Sequence, residues 1–453
     1  MKTSEFWGAS AFRTRLYHGE GWRNLRFLIL ALIAFVLAGN LSSGGQFMVA
    51  PAEPTMDRWM YPFEFGPATR PNAPTFGSFD SRFDTRDAEM MMGWDTGDSV
   101  RTNAGASRYL LRSARVTLTS IPPGPGSTLM PFIYDPTHDI FATYMTNAPG
   151  AVPDSDPGRP IELFGVGFRG GFTIETFLED SRFGPLGPIK GDTISIGTRN
   201  AYAAIFGRDG ELMDIANHVG QTNAAWTTPP FEAPPWSVGT TTDALPGGEM
   251  PGGGRMAFSI DLGDPLVAGY FQRALDMGKL RLMVSSLSPA GQSTPGGTGV
   301  GGSGAYPTWA TKENLLYDPP SLEIEGTLVA DTDSDADGLP DDWERFWLGN
   351  LDGTSADDPD GDGRSHRDEW IAGTDPRDEA SVLRIVQHGL GHGLAWIRFL
   401  IASSRTYRIE RSVDLSTWVA AEGTTSFPER GMAEWRSSGV EASSGGFFRV
   451  QVE

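Results

Sequence analysis

The 453-residue sequence predicts a mainly β, multidomain chain: a large β-sandwich or jelly-roll-like domain, a short loop–helix segment and a small C-terminal β-sandwich. Three observations carry that prediction. Apolar residues recur with a period of two in many short runs. Glycine and proline are abundant, at 57 and 33 residues, which suits turns and argues against a helical bundle. Hydrophobic residues, at 39%, still suffice for packed cores. The absence of cysteine excludes disulfides, cysteine-ligated zinc, iron–sulfur clusters and a thiol nucleophile. A formal charge of −21 argues against a nucleic-acid partner, because phosphate binding needs a basic surface.

Residues 1–38 read as an export signal. Lys2, Arg13, Arg15, Arg23 and Arg26 outweigh Glu5 and Glu20, and residues 27–38 are apolar without a charge. Such a run spans about 18 Å as a helix, short of the roughly 30 Å hydrocarbon core. Small polar residues follow at once, completing the order of a secretory signal. Val36-Leu-Ala38 and Ala50-Pro-Ala52 are candidate cleavage sites, and an uncleaved anchor is the alternative. No second apolar span follows, so the remainder is expected to be secreted, extracellular or at the cell surface, and not integral to the membrane.

Residues 55–330 read as the large β-domain. Ala114, Val116 and Leu118 alternate within 113–119, and 255–261, 279–284 and 322–328 repeat the pattern. Residues 201–206 and 211–216 flank Arg208-Asp-Gly210, a hairpin signal. A helix is predicted from Asp264 to Met277, with Pro265 in its first turn and Leu266, Val267, Tyr270, Phe271 and Leu275 at helical spacing. Gly/Pro-rich stretches at 229–254 and 288–304 are loops of the sandwich, since strands resume after each. At this length a division into two sandwiches stays open.

No catalytic residue is assigned in this domain, which has no G-x-S-x-G, H-E-x-x-H or phosphate-binding loop. Glu175, Glu179 and Asp180 are candidates for the paired carboxylates of glycoside hydrolysis, against the plainer reading of an acidic strand end. His138, between Asp135 and Asp139, fits a turn with an Asx hydrogen bond better than a metal site. Asp154 and Asp156 could touch calcium but lack a downstream acidic ligand. Trp226, Trp236 and Trp309 on long loops could stack on sugar rings, although tryptophan more often anchors a core.

Residues 331–380 hold the specific signal. Fourteen Asp and three Glu stand there against four Arg. Asp333-Ser-Asp335-Ala-Asp337-Gly338 with Glu344 fits D-x-D-x-D-G-x₅-E, and Asp358-Pro-Asp360-Gly-Asp362-Gly363 with Glu369 fits it again. Calcium takes six to eight oxygens at about 2.3–2.6 Å, which this register can supply. Carboxylates at positions 1, 3 and 5 converge, glycine at 6 permits the reversal, the carbonyl at 7 (Leu339 or Arg364) adds an oxygen, and the acid at 12 binds through both of its own. Each loop leads into a short helix, 341–348 with Trp343, Phe346 and Trp347 on one face, and 368–372 with Trp370 and Ile371 before Gly373. The tryptophans are expected to pack the two units together.

This stretch resembles the thrombospondin type 3-like calcium repeats of secreted bacterial multidomain proteins, over about 50 residues. The resemblance implies two calcium ions, one held by Asp333, Asp335, Asp337, Asp341 and Glu344 and one by Asp358, Asp360, Asp362 and Glu369. It also implies further ligands at Asp375 and Asp378. Pro340, at position 8, cannot donate the backbone hydrogen bond that pairs full EF-hands, and His366 fills position 9, where water often mediates. Dockerins share the two-repeat layout. Their partner-recognition positions are here Asp342-Trp343 and Arg367-Asp368, unlike the usual choice, and the internal location favours a spacer.

Residues 381–453 read as a small β-module with strands at 381–386, 394–400, 406–411 and 447–450, and it resembles the fibronectin III-like modules that follow such repeats. His388 and His392 are four apart, but Gly389 and Gly391 between them favour a turn over a metal-binding helix. The functional expectation is an exported, non-enzymatic, calcium-binding structural or adhesion protein of the cell surface or extracellular matrix. Its expected partners are calcium and a polysaccharide or cell-surface component. The alternatives are a carbohydrate-binding protein and a glycoside hydrolase.

Overall fold

The computed structural model describes residues 44–62, 66–77, 84–122, 131–145, 149–184, 199–219, 230–289, 306–391, 393–439 and 446–453. The expected export signal, Trp226, His392 and most of the 288–304 loop lie outside these residues. Among the described residues no helix is long and apolar enough to cross a membrane.

In the large domain β1 (Gly45–Ala52), β2 (Met56–Met60), β3 (Asn72–Pro74), β4 (Glu89–Asp95), β5 (Tyr109–Thr119), β6 (Ile161–Phe168), β7 (Ala201–Phe206), β8 (Leu212–Asp214), β9 (Ser237–Val238) and β10 (Arg255–Ser259) precede helix α1 (Pro265–Met277). Strands β11 (Lys279–Ser286), β12 (Thr308–Ala310) and β13 (Ser321–Leu328) follow it. They build a four-stranded sheet, β1-β13-β5-β10, and a larger sheet, β2-β4-β11-β6-β7-β8, with β9 beside β6. The pairings within both sheets are antiparallel.

The two-residue period decides the layering. Val116, Phe258 and Ile324 of the smaller sheet share a core with Met90, Met92, Leu163 and Leu282 of the larger. The intervening Met91, Phe164 and Met283 belong to a second core with Phe177, Ala203 and Ile215. The larger sheet is therefore buried on both faces, which is why β4 and β6 read as nearly continuous apolar runs. One core joins the two sheets, which favours a single sandwich over two.

Strand β1 carries the domain start back from residue 55 to 45, because Phe47 and Val49 turn into the core and the strand pairs with β13. The Ala50-Pro-Ala52 cleavage candidate lies inside this strand, so a cut there would remove it. Helix α1 sits where its residues predict: Asp264 accepts from the Leu266 and Val267 amides, and Gly278 closes the other end at a φ of 76°.

The acidic segment holds α2 (Asp341–Trp347) and α3 (His366–Ala372). Beyond it β14 (Ile385–Gly391), β15 (Leu394–Leu400), β16 (Tyr407–Ser412), β17 (Val419–Ala420), β18 (Gly423–Glu429), β19 (Met432–Ser437) and β20 (Phe447–Val452) form two sheets, β14-β15-β19-β18 and β17-β16-β20. Ala395, Ile397, Phe399, Ile409, Ala433 and Trp435 fill the space between them. In the immunoglobulin constant arrangement the sixth strand pairs with the third. Here the sixth, β19, pairs with the second, β15, so the strand order differs from that arrangement. His388 lies on β14 opposite Ile397, on extended backbone rather than a helix.

Candidate metal centre

The two acidic loops repeat one hydrogen-bond pattern. The first aspartate of each accepts from the glycine amide five residues on: Gly338 to Asp333 and Gly363 to Asp358, both at 3.0 Å. The third aspartate accepts from the amide two residues on: Leu339 to Asp337 at 2.8 Å and Arg364 to Asp362 at 2.6 Å. These bonds turn the carboxylates inward. One oxygen each from Asp333, Asp335 and Asp337 lie within 4.8 Å of one another, and Asp358, Asp360 and Asp362 do the same. Gly338 and Gly363 take φ values of 96° and 88°, as the tight turn requires. The fourth position of each loop is left-handed too: Gly361 in the second and, unforeseen from the sequence, Ala336 at 61° in the first.

The helices deliver the remaining acid. Pro340 precedes α2, and a reciprocal capping box between Ser365 and Asp368 opens α3. Glu344 and Glu369 therefore fall within their helices' early turns and are 0% exposed. Both side-chain oxygens of each lack a hydrogen-bond partner, as do buried Oδ2 atoms of Asp337, Asp360 and Asp362. Buried carboxylate oxygens without donors are costly. Burial first, then Asp335 and Asp337, pushes Glu344 up to about 7. Burial, then Asp360, Asp362 and Asp375, pushes Glu369 up to about 8. The donor set is anionic, all oxygen and convergent, so it fits a hard cation.

A small core fixes the two loops relative to one another. Trp343 meets Trp370 edge-to-face at 6.3 Å and His366 at 5.9 Å. Val329, Leu339 and Trp343 are buried together, with Leu110 and Leu348 against them. The Leu339 side chain thus anchors its loop while its backbone stays at position 7. This is the miniature core expected of the tryptophans.

Three expected ligands have other duties. Asp341 is occupied by both donors of Ser334 and by Arg345, which hold its carboxyl below the usual carboxylate range, so it braces the loop. Asp375 is gripped by Arg377 at 3.1 and 3.2 Å, and Asp378 accepts from the Ala380 amide in a turn. His366 lies buried with Nδ1 3.0 Å from the Thr354 carbonyl. A carbonyl only accepts, so that nitrogen carries the proton.

Glu175, Glu179 and Asp180 of the large domain line one open cleft together with Lys279 and Arg281, but their partners differ. Glu179 accepts from the Asp57 amide and pairs with Lys312, whereas Glu175 is exposed beside Lys279 at 3.5 Å. Asp180 is exposed. Trp236 and Trp309 are 5% and 0% exposed, core residues and not sugar platforms. Asp135 makes the Asx turn its sequence suggests, accepting from the Thr137 amide and hydroxyl. Comparison with protein-family models, curated proteins and solved structures finds no match.

Proposed function

We propose that the chain is an exported, calcium-binding structural protein of the cell surface or extracellular matrix, in which residues 331–380 form a calcium-set joint between two β-modules. The observation that carries this reading is the pair Glu344 and Glu369, each buried with both oxygens unpartnered beside an aspartate triad. Asp333, Asp335, Asp337 and Glu344 would hold one ion, and Asp358, Asp360, Asp362 and Glu369 the other, with the Leu339 and Arg364 carbonyls completing the shells. Calcium supplies charge neutralisation and a cross-link; the protein supplies a rigid frame for it. Export rests on the pattern of residues 1–38.

The joint reading is supported by contacts on both sides of the segment. Arg108 of the large domain pairs with Asp331 at 2.5 Å, and the Arg112 guanidinium lies 4.5 Å over Phe346. Arg405 of the terminal module donates to the Trp370 and Ile371 carbonyls at 2.9 and 3.0 Å. Arg430 pairs directly with Asp261 across the modules at 2.6 Å. Extracellular loops of this kind bind calcium at about 10⁻⁴ to 10⁻³ M, which suits constant filling outside the cell rather than signalling.

Limited proteolysis with calcium and with EGTA tests the reading. Chelation should open new cuts within 331–380 and separate the modules into two fragments. Identical digests in both conditions would overturn it.

A further inference from the structure

We infer that the large domain carries a third divalent-cation site, built from Asp135, Asp139 and Asp156 outside the repeat loops. Two segments far from the acidic stretch meet here. One is the turn after β5 that holds Asp135 and Asp139; the other is Asp154–Arg159, which runs directly into β6. One carboxylate oxygen from each of Asp135, Asp139 and Asp156 lie within 4.8 Å of one another. Asp154 stands nearby, and it and Asp139 share a single cation, Arg159, at 3.4 Å each.

The independent sign of a ligand is Asp135. The residue is 2% exposed, its Oδ1 is held by Thr137, and its buried Oδ2 has no partner. A carboxylate so placed needs a proton or a cation. Among the described residues no ion pair supplies that cation to Asp135. Arg159 spreads its charge over Asp139 and Asp154 and lies 4.5 Å over the Tyr144 ring. His138 turns away to Glu162 at 2.7 Å. Thr137 shows the same shortage of hydrogens. Its hydroxyl lies 2.7 Å from Asp135 Oδ1 and 2.9 Å from Asp156 Oδ2, and one proton cannot serve both.

The contrast with a second acidic cluster sharpens the assignment. Asp57, Glu179 and Glu313 also bring their oxygens within 4.8 Å. There Lys312 pairs with Glu179, lies 2.7 Å from Glu313 and 4.0 Å from Asp57, so the lysine already fills the role of the ion. Among the described residues no lysine pairs with the Asp135 cluster. Gly158 lets the two segments close: a Cβ on it would fall 2.9 Å from the Asp135 Cβ, and its φ is 121°. All-oxygen donors with several carboxylates and a hydroxyl suit a hard cation, calcium before magnesium because the carboxylates come from a folded frame rather than an octahedral shell of water.

Native mass spectrometry and calorimetric calcium titration of the full chain test this separately from the repeat loops. Wild type should take three ions. A Glu344→Gln, Glu369→Gln variant should keep one, and Asp135→Asn, Asp156→Asn should keep two. Asp156→Asn alone, at a half-buried position that leaves Asp135 in place, should weaken the ion remaining in the loop-silenced chain at least tenfold. In that loop-silenced chain calcium should also slow hydrogen exchange of residues 131–145 and 149–159. A loop-silenced chain that binds no calcium, or exchange unaltered by it, would overturn the third site and leave the loops' assignment untouched. Binding of two ions by wild type with none lost in Asp135→Asn, Asp156→Asn would do the same.

Discussion

Asp341 holds the first loop closed through Ser334, accepting from the serine amide and from its hydroxyl, both at 2.7 Å. The equivalent positions in the second loop are Pro359 and His366. Proline has no amide hydrogen to satisfy, so the loop needs no carboxylate there, and the ninth position can hold a histidine that packs on Trp343 instead. These two differences between the repeats are thus one coupled exchange.

Replacing Asp341 with alanine should cost the segment about 1–2 kcal/mol, because it leaves the Ser334 amide without its acceptor. It should weaken calcium binding less than Glu344→Gln does. Calorimetric titration of the two variants distinguishes a brace from a ligand; an equal loss would return Asp341 to the ligand set.

Ala336 sits at a φ of 61° where the second loop has Gly361. A non-glycine residue there costs about 1–2 kcal/mol, partly offset by the lower entropy of alanine in the unfolded chain. Ala336→Gly should therefore stabilise the first loop by up to about 1 kcal/mol, and Gly361→Ala should destabilise the second by a similar amount. Urea unfolding at fixed calcium measures both.

Calcium and protons compete for Glu344 and Glu369. Their folded-state values, about 7 and about 8, lie above the ordinary 4.5. Without calcium, the stability these groups add is present below about pH 4.5 and lost as pH rises through 7 and 8. The stripped segment should resist protease best near pH 5 and least near pH 9. Calcium binding should run the other way, weakening as pH falls from 9 to 6. An affinity that stays flat over that range would contradict the assignment of these two acids.

Trp343 is the keystone of the small core, 1% exposed and carried on α2 against the His366 and Trp370 rings of α3. Trp343→Ala should remove about 3–5 kcal/mol from the segment. Hydrogen exchange should then rise across 331–380 even at saturating calcium while the large domain keeps its protection.

In the large domain Arg199 is 1% exposed and bonds Asp84 and Glu89 at 2.6 Å each. Arg199→Met would strand two buried carboxylates and should cost about 3–5 kcal/mol, read as a lower melting temperature. A change within 1 kcal/mol would mean that the acids take up protons at little cost.

The sequence by itself determined what depends on local spacing. The mainly β class followed from the two-residue period, α1 from its cap and apolar face, and the two acidic loops from a register of five positions within twelve residues. Those features are legible because each is written in neighbouring residues. Tertiary structure alone decided what long-range packing controls. It buried Trp236 and Trp309, drew β1 into the sheet despite Pro51, and gave Asp341 to Ser334. It also brought Asp135 and Asp156 together from opposite ends of a long connection. A carboxylate's role depends on which donors surround it, and donors arriving from distant segments leave no periodic mark on the chain.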